Sequence, residues 1–511
     1  MSGHMENPVI SLKLLIDQEK NKVVFAEAGE DFVDVLFSFL TLPMGTIVRL
    51  LETHQKSKSV PIGCFNNIYA SVASMAMKHF SSQASKQMLL YPGSLNQDKC
   101  QKTKLRIDDS QASKCFMCPM FVRSGQCSKE YSNFNTSRCS CGNLMNEIIQ
   151  FQGEGGSGGN GGVFVRSSAG HTSFMISDDL KVEVNSVVST LKLLNGLGYP
   201  NCDKLVEMIL DINLQEVATL LECLFTSETP LTDTFLKKKS SCGIKRMLSP
   251  PALIEEEEER ESKADQTITL NAYVRKKEGN IMYVECGEDF VDLLFTFLAM
   301  PLESVWGSIS GNGIVLGCLG NLCKSFKELS VVDSGREGSG LKSVVPHYYK
   351  CHEKQQQLLD VLVTIHKPPT YYRFVSFSVD HYREYCLTEK SDKRLVYGWD
   401  KLLPVTCKDP KSEGNNNSAG FVKKGTKFMV TDDLIITPSN SASVLGMLKD
   451  KQISLDDVEC RVICIKQVEV IKLLRASLVS FSALSTGLLA MESSSTSVPE
   501  SRFYKKPKIE T

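Results

Sequence analysis

The chain repeats one of its own segments at long range, and this constrains its fold more than any other feature. AEAGEDFVDVLFSFLTLP, which begins at Ala26, returns as VECGEDFVDLLFTFLAMP from Val284, with twelve of the eighteen positions identical. The similarity continues in the same order, because GCFNNIYASV matches GCLGNLCKSF, FMISDDL matches FMVTDDL, and EVATLLECL matches EVIKLLRAS. An internal tandem duplication produces such a pattern. At 511 residues the chain also exceeds the usual size of one core. We therefore predict two related domains, at residues 8–236 and 267–482.

Segments of different composition border these copies. KKKSSCGIKR, SPP and IEEEEERESKADQ form a charged, proline-containing stretch, which predicts a linker at residues 237–266. The serine-rich end of the chain has no periodicity, and we predict a disordered tail at residues 483–511. The glycine run at residues 153–162 lacks the GK[ST] ending of a phosphate-binding loop, so a flexible connection is the interpretation.

Within each copy the patterns predict a mixture of strands and helices. LKLLIDQEKNKVVFAEA has apolar runs on both sides of a polar turn near Gln18 to Asn21, which indicates a hairpin. After GED the apolar positions fall at helical spacing, and Pro43 limits that helix. KLVEMILDI favours a strand, and LQEVATLLECLF an amphipathic helix. Because strands and helices alternate without a regular βαβ rhythm, the predicted fold class is α+β.

The recurring carboxylates fit helix starts and turns better than catalysis. Glu30, Asp31 and Asp34 recur as Glu288, Asp289 and Asp292, and paired carboxylates can divide acid and base roles. Acidic residues after a glycine are, however, typical of the first turn of a helix, where they face unpaired amides and the positive end of the dipole. The SDDL and TDDL motifs lack further acidic residues at the spacing of a calcium loop, which favours a turn.

The cysteines near residues 100–141 are the most specific chemical signal. Cys115 and Cys118 have C-x2-C spacing, Cys139 and Cys141 have C-x-C spacing, and Cys127 and Cys100 lie nearby. Two such pairs separated by a loop can hold one structural zinc ion, so we predict a metal site made of Cys115, Cys118, Cys139 and Cys141. The second pair is one residue shorter than usual, and the second copy lacks both pairs. Unligated thiols in a mobile insert are the alternative.

The rest of the sequence excludes several function classes. The 58 basic and 59 acidic side chains leave a formal charge of -1, which provides no global field for nucleic acid or acidic membranes. The eight histidines form no H-E-x-x-H pair, and there is no G-x-S-x-G, dinucleotide or kinase motif. No secretory signal or membrane-spanning run is recognised. We therefore expect a cytoplasmic protein with mostly reduced cysteines, with the nucleus as an alternative because of KKPK at Lys505.

Several of these segments together resemble a known family. SLKLLIDQEKNKVVFAEAGEDFVDVLFSFLTLPMGTIVRLL, followed by IGCFNNIYASV, FMISDDLKVEV and PLTDTFL, is similar to the plant family of uncharacterised proteins known as domain of unknown function six-seven-four. The resemblance covers both copies, hence most of residues 8–482. It implies a land-plant protein, often with tandem copies of the domain, and no established activity, substrate or catalytic residue. The second copy departs from the first because it lacks the paired cysteines.

Three functional hypotheses remain. The absence of a catalytic constellation favours a non-enzymatic intracellular binding or scaffold protein that acts on an unidentified protein partner. An enzyme with an unrecognised site between the two copies is the alternative. Nucleic-acid binding through the cysteine-rich insert is a third, since Lys114, Arg123, Lys129 and Arg138 alternate there with aromatic residues.

Overall fold

The computed structural model describes residues 8–54, 61–108, 114–120, 127, 129–151, 163–165, 173–237, 267–309, 316–330, 343–368, 370–377, 383–388, 403–412, 420–450 and 452–489. The first half, up to residue 237, contains β1 (Ile10–Asp17), β2 (Lys22–Ala28), α1 (Glu30–Thr41), α2 (Met44–His54), α3 (Phe65–Ser74), α4 (Gln83–Leu90), α5 (Gln97–Cys100), β3 (Cys115–Met117), β4 (Glu130–Tyr131), β5 (Glu147–Phe151), β6 (Phe174–Ser177), β7 (Val182–Val184), α6 (Val187–Gly196), β8 (Leu205–Ile212), α7 (Leu214–Thr226) and α8 (Pro230–Phe235).

The second half, from residue 267, contains β9 (Ile268–Arg275), β10 (Ile281–Cys286), α9 (Glu288–Phe297), α10 (Leu302–Ile309), α11 (Leu319–Leu329), β11 (Ser343–Val345), α12 (Glu353–Leu359), β12 (Val363–Ile365), β13 (Tyr371–Phe377), β14 (Arg383–Thr388), β15 (Leu403–Cys407), β16 (Phe428–Thr431), β17 (Ile436–Pro438), α13 (Ser441–Asp450), β18 (Val458–Ile465) and α14 (Gln467–Val479). Short 3₁₀ helices lie at Met77–His79, His347–Tyr349 and Leu455–Asp457, and Ser485–Leu489 forms a π-helix.

Each half builds an antiparallel five-stranded sheet. The strand order is β7-β6-β2-β1-β8 in the first half and β17-β16-β10-β9-β18 in the second. Every strand of one sheet therefore occupies the place of its sequence counterpart in the other. With helices packed beside antiparallel sheets, the α+β prediction is confirmed.

The hairpin that opens each sheet follows from its sequence pattern. Along β1 the buried side chains alternate, since Ile10, Leu12, Leu14 and Ile16 share one face. The turn into β2 contains Asn21 at φ 48°, a left-handed conformation that asparagine and glycine tolerate best, and Gly279 supplies it at φ 69° between β9 and β10. The predicted hairpins are confirmed.

The helices that follow the hairpins begin where the sequence predicts. The extended residue Gly29 precedes α1, whose first turn contains Glu30 and Asp31, and the helix ends at Thr41 before Pro43. In α9 the same arrangement follows Gly287. Both helices are apolar on nearly every side and buried throughout most of their length, which places them at the centre of the molecule.

The two halves meet at a reciprocal contact just after these helices. Pro43 and Pro301 form an antiparallel bridge. On one side of it Met44 N donates to Met300 O at 3.0 Å, and on the other Leu302 N donates to Leu42 O, also at 3.0 Å. Each half thus gives the other the same backbone bond, as in a contact around a local two-fold axis.

The two GC motifs, at residues 63–64 and 317–318, form a second pair of reciprocal contacts between the halves. Gly63 and Gly317 lie at φ 51° and 48°, and their backbones press against the last long helix of the opposite half. Cys64 N donates to Ser477 O in α14 at 2.7 Å, whereas Cys318 N donates to Leu224 O in α7 at 3.3 Å. A Cβ at either glycine would lie 2.2 or 2.3 Å from those carbonyl oxygens, so only glycine allows this approach.

The helices after the GC motifs pack on the sheet of the other half. Ser71 in α3 accepts from Ile436 N in β17 at 2.9 Å. Its counterpart Ser325 in α11 accepts from Val182 N in β7 at the same distance. A helix of the first half therefore bonds to an edge strand of the second sheet, and a helix of the second half bonds to an edge strand of the first sheet.

One continuous cluster of buried side chains contains residues of both halves. Phe37 packs edge-on against Phe326 with ring centroids 5.1 Å apart, and Phe80 stacks on Phe295 at 6.4 Å. The repeat segments that suggested two domains thus share a core, because the helices exchanged between the halves bury their apolar faces together.

A third sheet draws strands from both halves, in the order β3-β5-β14-β13-β15-β4. The first half supplies both ends of this sheet, and the second supplies the three middle strands. The joins are parallel pairs, β5 with β14 and β4 with β15. The cysteine-rich segment, which we predicted to be a long inserted loop, thus includes strands that pair with the second half.

The predicted linker, glycine run and tail lie partly or wholly outside the described residues. Of the predicted linker at 237–266 only Lys237 is described, and the glycine run at 153–162 lies outside the described residues. The predicted tail starts at residue 483, yet Ala483, Leu484 and Leu488 are buried and belong to the common core. Residues 490–511 lie outside the described part. Among the helices that the structure describes, none has the length and apolar character needed to cross a membrane.

Candidate functional site

A tight turn presents two of the predicted metal ligands. Cys139 N donates to Asn143 O at 2.9 Å, and Gly142 N donates to Cys139 O at 2.8 Å. Gly142 lies at φ 88° with open space around it, so a glycine closes the turn without strain. Asn143 Nδ2 lies 3.5 Å from the sulfur of Cys141. The turn therefore directs the thiols of Cys139 and Cys141 to one place, as in a zinc knuckle.

Four thiols converge there. The sulfur atoms of Cys118, Cys127, Cys139 and Cys141 all lie within 4.8 Å of one another. The Sγ atoms of Cys118 and Cys141 are 3.5 Å apart, and those of Cys127 and Cys139 are 3.0 Å apart. Both distances exceed a disulfide bond, and the four residues are thiols. Cys118 and Cys139 are buried and Cys141 is exposed, so the site sits at the surface with a protected interior.

The structure brings together three of the four predicted ligands and replaces Cys115 with Cys127. Cys115 opens strand β3, and Cys118 follows the end of that strand. Side chains three residues apart on an extended strand point to opposite faces, so the C-x2-C pair cannot chelate one ion here. Cys115 is instead buried beside Cys407, and burial raises the pKa of its thiol to about 12.

The thiol separations match a tetrahedral sulfur site. With zinc–sulfur bonds of about 2.3 Å, ligand sulfurs lie about 3.8 Å apart around the ion. The observed separations of 3.0 and 3.5 Å, with none above 4.8 Å, require only small rotations of the side chains to reach that geometry. Four thiolates are soft ligands that suit zinc or an iron–sulfur cluster and do not suit magnesium or calcium.

The thiol cluster is attached to the sheet that both halves share. Cys118 follows β3, which reaches the second half through β5 and β14. On the other side, β4 pairs with β15 through bonds from Thr406 N to Lys129 O and from Lys408 N to Tyr131 O, at 2.9 and 2.8 Å. An ion at this place would therefore fasten two ends of one sheet.

The buried carboxylates of the repeated GEDFVD motif hold the backbone of distant segments. Asp34 accepts from the amides of Val163 and Phe164 at 2.6 and 2.8 Å. Asp292 accepts from Val422 N at 3.0 Å in the equivalent place. Burial raises the pKa of both carboxyls, that of Asp292 to about 8. Both residues lie beyond the first helical turn, so their role is a tether and differs from the helix-start role that we predicted.

The SDDL and TDDL carboxylates are also engaged in framework contacts. Asp178 accepts from the amide and hydroxyl of Thr232 at 2.9 and 2.8 Å, and Asp432 accepts from those of Ser485 at 2.7 and 2.9 Å.

The neighbouring aspartates cross between the halves. The side-chain Nδ2 of Asn67 donates to the carboxylate of Asp433 at 3.2 Å, and Nδ2 of Asn321 donates to the carboxylate of Asp179 at 2.9 Å. The motifs form turns, as predicted, with Leu180 and Leu434 at φ 60° and 63°.

The aromatic residues of the cysteine-rich segment face the protein interior where they are described. Tyr131 is fully buried and packs edge-on against Tyr371 at 5.0 Å. Phe134 packs against Tyr348 at 5.1 Å. Arg138 donates to Gly142 O within its own turn. Binding of nucleic acid would need aromatic rings for stacking on bases and guanidinium groups for phosphate contacts, and here these groups are engaged within the protein.

A histidine–cysteine pair that the sequence did not reveal lines a separate cavity. His347 Nε2 lies 2.8 Å from the sulfur of Cys407, sixty residues away in the chain. The cavity has a volume of about 640 Å³, and its wall includes His366, Lys367 and Asp409. Burial lowers the pKa of His347 to about 4 and raises that of Cys407 to about 12. Both groups are therefore neutral near pH 7, and the thiolate that a nucleophile needs is scarce.

Comparisons with known proteins identify the family. A search of curated proteins gave no match, and a search of solved structures gave none either. The family described as "Protein of unknown function (DUF674)" matches residues 6–468, which include most of both halves. This agrees with the resemblance seen in the sequence, and the chain belongs to the DUF674 family of proteins of unknown function.

Proposed function

We propose that this protein is a non-enzymatic binding or scaffold protein whose interlocked halves form one rigid platform. The observation that carries the proposal is that several polar residues common to both halves are engaged in holding the framework. Asp34 and Asp292 tether backbone segments, and Asn67 and Asn321 link each half to the other. A catalytic site inherited by both halves would instead leave such groups facing a cavity.

Capture experiments with the intact chain test the binding function. The exchanged helices make each half incomplete alone, so separate halves are unsuitable baits. The expected result is a protein that is captured at a reproducible ratio and rebinds when both components are purified. Failure of every captured protein to rebind would contradict the proposal.

A structural zinc ion held by Cys118, Cys127, Cys139 and Cys141 is the second part of the proposal. Four protein ligands close the coordination sphere and leave no position for substrate, which is typical of structural zinc rather than catalytic zinc. The ion would stabilise the shared sheet by tying the segment after β3 to the turn after β4. Its binding energy would then add to the stability of the junction between the halves.

Metal analysis of two matched variants tests this site. Cys127→Ser removes a ligand of the cluster that the structure defines, whereas Cys115→Ser removes a thiol of the same segment that lies outside it. We expect about one zinc ion per chain in the unmodified protein and in Cys115→Ser, and a large loss in Cys127→Ser. Retention of zinc in Cys127→Ser and loss in Cys115→Ser would refute the assignment.

An enzyme remains the second candidate, and the cavity beside His347 and Cys407 is the observation that favours it. Alkylation of Cys407 by iodoacetamide at pH 7, followed by peptide mass spectrometry, separates the two functions. A neutral thiol reacts slowly and is indifferent to His347→Ala, which the binding function predicts. Fast labelling that His347→Ala abolishes would indicate an activated nucleophile and favour the enzyme.

We also propose an intracellular location, in the cytoplasm or the nucleus. The many reduced thiols support it, since disulfides would form in an oxidising compartment. A fluorescent fusion compared with its Lys505→Ala/Lys506→Ala variant distinguishes the two compartments. Nuclear fluorescence that is lost in the variant would show that KKPK acts as a nuclear localisation signal.

A further inference from the structure

Strand β8 forms an open and unusually apolar edge of the first sheet. It pairs with β1 on one side, and no strand among the described residues pairs with its other side. Val206 and Met208 are 40 % and 45 % exposed on the face that packs on the common core, and Ile209 is 73 % exposed on the opposite face. A long apolar edge strand has unpaired backbone groups that bind another strand readily.

The equivalent strand in the second half shows how this chain protects such an edge. Ile212 pairs with Ile10 in the first sheet, and Ile465 pairs with Ile268 in the second, so β18 is the counterpart of β8. At the positions that correspond to Val206 and Met208, β18 carries Glu459 and Arg461, which form an ion pair at 3.3 Å.

Charged side chains on an edge strand oppose pairing with further strands. At these two positions the first half lacks this protection.

We propose that β8 pairs with β8 of a second copy of this chain, in antiparallel orientation around a two-fold axis at Met208. In this register Met208 faces its own copy, Val206 faces Leu210, and Glu207 faces Ile209, which keeps the core-facing sides of the two sheets on the same side. Every pair on that face is apolar. The two five-stranded sheets then become one continuous sheet of ten strands.

The charges of the strand select this register. Moving the axis by one residue to Ile209 places Glu207 opposite Asp211, and like charges directly opposite each other destabilise a strand pair. At the axis through Met208, Glu207 meets no acidic residue and keeps its salt bridge to Lys13, whose Nζ lies 2.9 Å away. The formal net charge of -1 adds no long-range repulsion between copies.

One strand pair is a small interface, so the dimer exchanges with the monomer as concentration changes. The proposal does not depend on the zinc site, which lies in the third sheet.

Sedimentation velocity over a concentration series tests the proposal. We expect the full chain to shift from monomer toward dimer, and Val206→Glu/Met208→Arg, which introduces the charges of β18, to remain monomeric. The control Val187→Glu/Val188→Arg replaces apolar residues that are more exposed, at 76 % and 60 %, and follow β7 at the opposite edge of the same sheet; it should dimerise normally. A full chain that stays monomeric to its solubility limit, or a β8 variant that still dimerises, would overturn the proposal.

Cross-linking tests the register without weakening the edge. Directly opposite residues of antiparallel strands have Cα atoms about 5 Å apart, which a disulfide can span. Met208→Cys should therefore form a covalent dimer under a mild oxidant. The unmodified chain, which already exposes Cys202, Cys460 and Cys464, is the control and should not. Equal cross-linking of both proteins would show that β8 is not at the dimer axis.

Discussion

Replacing Gly63 by alanine tests whether the interlocking of the halves stabilises the protein. The new Cβ would lie 2.2 Å from Ser477 O and 2.6 Å from Leu478 O, both in the backbone of helix α14. Contacts of carbon with oxygen this short do not occur, so the two backbones must separate by about 1 Å. The 2.7 Å bond from Cys64 N to Ser477 O would then lengthen beyond hydrogen-bond range.

The loss of stability expected for Gly63→Ala is the sum of three contributions. An alanine at φ 51° costs about 1 kcal/mol relative to glycine. Loss of the bond leaves a buried amide without its acceptor, at about 1–2 kcal/mol. Displacement of packed backbone costs about 1–3 kcal/mol. We therefore expect Gly63→Ala to lower the free energy of unfolding by about 3–6 kcal/mol.

Gly279→Ala is the matched control. Gly279 also has a left-handed backbone, at φ 69°, but nothing lies within 4 Å of its added Cβ. Its variant should lose only the conformational term of about 1 kcal/mol. In urea unfolding followed by far-UV circular dichroism, Gly63→Ala should have a midpoint lower by about 1 M, against a few tenths for the control. Equal shifts in the two variants would refute the role of the close approach.

Three further predictions concern the same framework. The pKa of Asp292 is about 8 in the folded protein and 3.8 ordinarily, so folding favours the neutral form of its carboxyl group. The stability that Asp292 contributes is therefore complete below about pH 4 and is lost as the pH rises through about 8. Urea midpoints of the unmodified chain should thus fall between about pH 6 and pH 9, and Asp292→Asn should reduce that fall; identical slopes would contradict it. Ser71→Ala and Ser325→Ala each remove the acceptor of a buried amide, and calorimetry should show losses of about 1–3 kcal/mol that add in the double variant. Cleavage at a protease site engineered into residues 238–266 should leave both fragments in one peak in size-exclusion chromatography, because the halves exchange helices; fragments that separate would show that these contacts are too weak.

Local sequence was sufficient for the hairpins and the main helices of the repeated segments and for their order. The hairpin around Asn21, the helix start at Glu30 and the strand that contains Met208 were all predictable, because alternation, helical spacing and turn residues report on interactions between near neighbours. The repeat also indicated that two sets of elements should match, and the two sheets have the same strand order.

The metal site was predictable in part. Sequence located the segment and three of the four clustered thiols, but spacing alone favoured Cys115 over Cys127. The choice depended on β3 being extended, which turns Cys115 to the other face and toward Cys407. A cysteine motif predicts chelation only when the backbone between its members forms a turn.

The amino-acid sequence by itself determined the fold class, the repeated framework and the segment that bears the thiols, since these follow from local patterns and from their recurrence along the chain. Only the tertiary structure decided that the halves exchange helices, that Asp34 and Asp292 are tethers, and that His347 meets Cys407. The physical reason is that burial and long-range backbone bonds are set by which surfaces meet. Two similar halves can satisfy the same apolar pattern side by side or interlocked, and the close approaches at Gly63 and Gly317 occur only in the second arrangement.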